Sequence, residues 1–189
     1  MRYGPVLALF VLMPASAAVA QTIPVAAFHA VDVHGGGEVI LHHGAAQRVT
    51  VVKGDAKTAE IRVDPAGTLH LSPCASAMGC FWHQGPFRVE VITPTITAIN
   101  VHGGGEARAD GTFPVQPHLS VSVHGGGEAD LKAIQAQTVN ANIHGGGEAK
   151  VYATQKLAAE VYGGGELRYW GHPSVSSSVH GGGSISRGD

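Results

Sequence analysis

The sequence predicts an all-β chain: a parallel β-solenoid (β-helix) of stacked coils of about 18 to 22 residues, preceded by a short strand meander. Three observations carry this reading: a phrase said six times, an alternation of period two leading into each copy, and three glycines between two alternating runs. The phrase is VDVHGGGE at 31–38, INVHGGGE at 99–106, VSVHGGGE at 121–128, ANIHGGGE at 141–148, AEVYGGGE at 159–166 and SSVHGGGS at 177–184. Its anchors, His34, His102, His124, His144, Tyr162 and His180, are separated by 68, 22, 20, 18 and 18 positions. A spacing near twenty over the last five copies marks a solenoid, whose repeats cannot bury their apolar faces alone.

Taken in order, the chain opens on an export signal. Arg2 precedes the apolar run 6–13, and Pro14 with the small residues 15–20 forms an Ala-x-Ala pattern that predicts cleavage before Gln21. The expected organisation is therefore a signal peptide at 1–20 and a single β domain at 21–189. Residues 21–95 supply its N-terminal strands and meander, and 96–189 the repeat solenoid. No cysteine adjoins the cleavage site, so no lipid anchor is expected there, and no second apolar run is long enough to span a bilayer. The expected location is periplasmic or secreted. With 12 basic against 14 acidic side chains there is no basic field for nucleic acid.

The stretch 42–94 is built differently. Residues 48–53, 59–63, 68–72 and 87–92 each alternate, with turn signals at Gly54-Asp55 and at 64–67, which predicts an antiparallel meander that caps or starts the solenoid. Cys74 and Cys80 flank a loop in it. In an oxidising compartment they are expected to form a disulfide; the competing reading, a metal pair with His70 or His83, suffers from a gap longer than zinc sites use.

In the repeats, apolar residues one, three and five positions before each anchor (Val123, Val121 and Leu119, for instance) alternate with small polar ones (Ser122, Ser120). That is a half-buried strand, and it puts the anchor imidazole in the outward phase. After the glycines the alternation resumes, as in Glu128-Ala129-Asp130-Leu131, so each coil carries a second strand. Glycine corners allow positive φ and close approach of successive coils. The best helical candidate in the mature chain is 131–137, only about two turns long.

A leader, a short meander and repeated strand–glycine corner–strand units resemble the putative auto-transporter adhesin, head GIN domain family of bacterial exported proteins, from about Pro24 to Ile185. The resemblance implies a β-solenoid of stacked parallel strands, with further strands packed on it, and a role in adhesion. The chain departs from the family pattern, which has Ser before the glycines and Asp after them. Here His and Glu fill those places in five of six copies each.

Several chemistries are disfavoured. The glycine phrases lack the nine-residue period and turn aspartates of calcium-binding β-rolls, and no strand-to-helix unit follows them as a nucleotide site requires. The repeated carboxylates form a row rather than a pair across a cleft, and no Ser/His/Asp set stands apart from the repeats, so no catalytic residue is assigned. The terminal Arg187-Gly188-Asp189 reads as a solvated end.

The His row is the feature with chemical potential. Successive parallel strands lie about 4.8 Å apart, so the metal candidates are His102, His124, His144 and His180, with Glu106, Glu128 and Glu148 completing a zinc or copper site if the corner folds toward them. The bland alternative is a ladder of stacked imidazoles, and Tyr162 within the row favours it. The expected function is an exported, non-enzymatic binding or adhesion-type protein with an envelope or surface partner. The runner-up is a periplasmic divalent-metal-binding protein. The last coil, at 184–186, is expected to expose an open edge that could join a second copy.

Overall fold

The computed structural model describes residues 20–74 and 85–189. Among them there is no helix, and fifteen strands form one continuous sheet wound into a parallel solenoid. The strands are β1 (Gln21–Ile23), β2 (Ala30–His34), β3 (Glu38–His43), β4 (Arg48–Lys53), β5 (Glu60–Val63), β6 (Thr68–Ser72), β7 (Arg88–Thr93) and β8 (Ala98–Gly103). They continue as β9 (Glu106–Asp110), β10 (Gln116–Gly125), β11 (Glu128–Gly145), β12 (Glu148–Gly163), β13 (Glu166–Trp170), β14 (Ser174–His180) and β15 (Ser184–Arg187).

Each coil has two strips. The strand before the glycine corner pairs in parallel with its counterparts, so that Val33, Val101, Val123, Ile143, Val161 and Val179 share one register row. The strand after the corner does the same, with Glu38, Glu106, Glu128, Glu148, Glu166 and Ser184 in file. The inward phase is dry: Val101, Val123, Ile143 and Val161 are each 0% exposed, as are Ala107, Ala129, Ala149 and Leu167 across the core. Burying a Val or Ile side chain contributes about 1.5–3 kcal/mol, so each coil is held chiefly by the coils above and below it.

The order of coils in space is not their order in the chain. The meander supplies β5 and β4 as antiparallel neighbours of β6 and β7, with β1 antiparallel on β4. But β6 and β7 themselves run parallel to β2 and β3, so they form a coil of their own beneath the first repeat. The coil β2/β3 is therefore sandwiched, with β6/β7 on one side and β8/β9 on the other, and the 68-residue gap between His34 and His102 closes to direct register.

The helical candidate at 131–137 is strand, part of β11. Its apolar spacing comes from a register shift against β12 between Asp130 and Gln135, where the strand bends from one strip into the next and buries Leu131, Ile134 and Ala136. At the far end Val175 and Val179 are 40% and 41% exposed, the uncovered side of the last coil. The expected leader and the Cys74–Cys80 pairing fall wholly or partly on 1–19 and 75–84, outside the described residues.

Candidate functional site: a glycine corner beside a file of rings

The corner's geometry follows from what a side chain would meet there. The first glycine of each triplet has positive φ, between +78° at Gly35 and +126° at Gly181. At the corners within the stack, a Cβ on the third would run into the glycine carbonyl of the coil below and into a core valine or isoleucine. Backbone bonds then run along the axis, from Gly146 N to Gly125 O at 2.9 Å and from Glu148 N to Gly127 O at 3.0 Å, and the same pattern recurs one coil on. The middle glycine needs none of this. A Cβ on Gly36, Gly104, Gly126, Gly146, Gly164 or Gly182 would stand in open space.

Alongside this strip the anchor side chains stack. Ring centroids from His34 through His102, His124, His144 and Tyr162 to His180 are 4.8, 4.9, 5.0, 4.9 and 4.8 Å apart, with planes within 13° of parallel. The coil spacing sets the distance, and the identical register sets the tilt. The row is a ring ladder, into which a phenol fits as well as an imidazole.

Residues 115–173 match the family described as putative auto-transporter adhesin, head GIN domain. That stretch carries the head GIN pattern. Among solved structures, the chain is similar to a putative adhesin from Bacteroides fragilis, at 16% identity and TM-score 0.55, covering 92% of this chain and 98% of that one. A putative cell adhesion protein from Clostridium sporogenes aligns at 15% identity and TM-score 0.46, over 89% of this chain and 97% of that one. The first of these likenesses shows a shared fold. No curated protein matches the sequence.

The glycine corner brings the predicted site residues together only within their own rows. His102, His124 and His144 are stacked face to face, so the in-plane lone pairs of neighbours run parallel instead of converging on one ion. The carboxylates engage cations of their own strip: Lys150 Nζ lies 2.7 Å from Glu128 and 3.3 Å from Glu148, and Arg168 lies 2.7 Å from Glu166. Glu38, in the first repeat, accepts from Arg88 Nε of the coil beneath it at 2.6 Å. Among the described residues, three metal-type ligand atoms converge elsewhere, on Asp32, His34 and His70. Sequence reasoning missed Asp32 and passed over His70 in that role. The available signal was the match of Leu69-His70-Leu71 to Val31-Asp32-Val33, which aligns β6 as a further coil.

One imidazole in the ladder has a displaced affinity for protons. Burial between its neighbours, then the charges that His102 and His144 would carry, hold His124 below its ordinary value of 6.5, with Asp32 opposing. The unfolded chain thus takes up this proton first. Stability attributable to His124 is present above pH 6.5, falls as pH drops below that value, and levels beneath the folded one. In urea titrations across pH 7 to 5, His124→Gln should show a shallower acid loss than the parent. Equal slopes would mean that the ring spacing imposes no such coupling.

Proposed function

We propose that the protein is an exported, non-enzymatic binding protein of the adhesion type, acting at the bacterial cell envelope, and that the glycine corner with its ring file is the contact face. The observation that carries this is the middle glycine. It is exposed in all six copies and a Cβ there would touch nothing, yet no copy uses a side chain. Folding does not require that bareness, whereas close approach of a partner does. The strip is flat backbone flanked on one side by rings, five of the six of them on exposed positions, and on the other by the Glu row. An extended partner can lie along it, stacking on or hydrogen-bonding to ring edges at each coil. The family match at 115–173 and the Ala-x-Ala leader support an exported, adhesion-type role, and the Cys74–Cys80 pairing belongs to the same reading.

The test is a variant that fills the strip without touching the core, Gly126→Gln with Gly146→Gln and Gly164→Gln. It should keep the parent's circular dichroism and melt within a few degrees of it, yet lose retention on isolated bacterial envelopes. Retention equal to the parent's would remove the corner as the contact face.

A further inference from the structure

At the N-terminal foot of the ladder the ring spacing changes. His34 and His70 are 6.1 Å apart and 17° from parallel, wider than any other step, because His70 sits opposite Asp32 in register and not opposite His34. The two rings consequently offer different nitrogens to one carboxylate. His34 Nε2 is 3.2 Å and His70 Nδ1 3.5 Å from Asp32 Oδ2. We propose that Asp32, His34 and His70 form a binding site for one divalent cation of the zinc class, bridging the coil β6/β7 to the first repeat.

The distances favour a coordination set over simple ion pairs. Tetrahedral zinc with bonds of about 2.0–2.1 Å to nitrogen and oxygen spaces its ligand atoms about 3.3 Å apart, which lies between the two separations seen. Charge-assisted hydrogen bonds are shorter, about 2.7–2.9 Å. The donors suit the ion as well: two imidazoles and a carboxylate are a borderline set that zinc, copper or nickel accepts, whereas calcium and magnesium ask for oxygen.

Two further features fit a cation. His70 turns its other nitrogen, Nε2, to Asp64 Oδ2 at 3.0 Å, and Asp64 is fixed in turn by the Thr68 amide at 2.9 Å from its Oδ1. With Nε2 as the donor to that carboxylate, Nδ1 is left with a lone pair facing Asp32, the arrangement by which carboxylates orient metal-binding histidines. Asp32 is the second feature. Its side chain is only 13% exposed, and its Oδ1 is buried without a hydrogen-bond partner, although His102 Nε2 approaches to 3.4 Å. A desolvated carboxylate oxygen with no donor is costly, and a cation on the same group offsets that cost. This site shares no ligand with the His102, His124, His144 and Glu set, and it does not depend on the adhesion reading.

The experiment uses the protein purified without a histidine tag, stripped with chelator, dialysed and titrated with zinc chloride. Elemental mass spectrometry should find about one zinc per chain, and the melting temperature should rise with zinc. His70→Gln and Asp32→Asn should each weaken binding at least tenfold and lose the thermal response, while His144→Gln binds as the parent does. Asp64→Asn keeps all three ligands in place and should still weaken zinc about 10- to 100-fold, which guards against variants that fail to fold. The proposal is overturned if the parent takes up no zinc, or if His144→Gln loses as much binding as His70→Gln. In the latter case the ladder as a whole, not its foot, holds the ion.

Discussion

Ile143→Asp should abolish folding. Ile143 is 0% exposed and lies in file between Val123 and Val161, so a carboxylate there meets only aliphatic side chains of its own coil and the two adjoining ones. The substitution removes about 1.5–3 kcal/mol of apolar burial and adds several kcal/mol for an unpaired buried charge. Against a total stability of about 5–15 kcal/mol, that removes most or all of the margin that keeps the chain folded. Far-UV circular dichroism should lose its β minimum and the soluble yield should collapse. Ile143→Val is the control, at about 0.5–1.5 kcal/mol. An unchanged melt for the Asp variant would put residue 143 in the outward phase and reverse the register of every strand in that strip.

The second large effect is a contrast inside one triplet. A Cβ on Gly147 would lie 2.6 Å from Gly127 O and 2.6 Å from Val123 Cγ1, so neither the carbonyl that pairs the coils nor the packed valine can yield cheaply. Gly147→Ala should cost about 3 kcal/mol, comparable with overpacking a core, and lower the melting temperature by about 6–12 °C in a chain of this length. Its neighbour Gly146 has nothing within 4 Å of the same added atom. Gly146→Ala should fall within about 0.5 kcal/mol of the parent. If thermal denaturation ranks the two alike, successive coils do not touch at this corner.

The solenoid was legible because its two signals are local. An alternation of period two fixes which side chains face the core, and a near-constant repeat fixes which ones stack, so the ladder and the Glu row could be read from 96–189 directly. What could not be read was the coil β6/β7. Its connection at 73–87 has no glycine triplet, and Phe87 packs beside Gly37 where other coils place glycine on glycine. Without the phrase, Thr68–Ser72 looked like one more antiparallel strand, and the Asp32–His70 juxtaposition, which needs β6 parallel to β2, stayed hidden. The irregularity after Asp130 misled differently, since the register shift between Asp130 and Gln135 breaks the period of two and leaves apolar residues at 131, 134 and 136, close to a helical spacing.

The central structural claim is that all six glycine corners form one unbroken file, with the first copy directly against the second across the 68-residue gap. Spin labels at Gly36→Cys and Gly182→Cys, in a background with Cys74 and Cys80 replaced by Ser, read this directly, because both positions are exposed and open. Five coil steps of about 4.8 Å predict a pulsed dipolar distance centred near ~24 Å in a single narrow distribution. A distance near ~29 Å would place the β6/β7 coil between the first and second copies. A broad, longer distribution would detach the first copy from the stack, and with it the continuous face on which the adhesion reading rests.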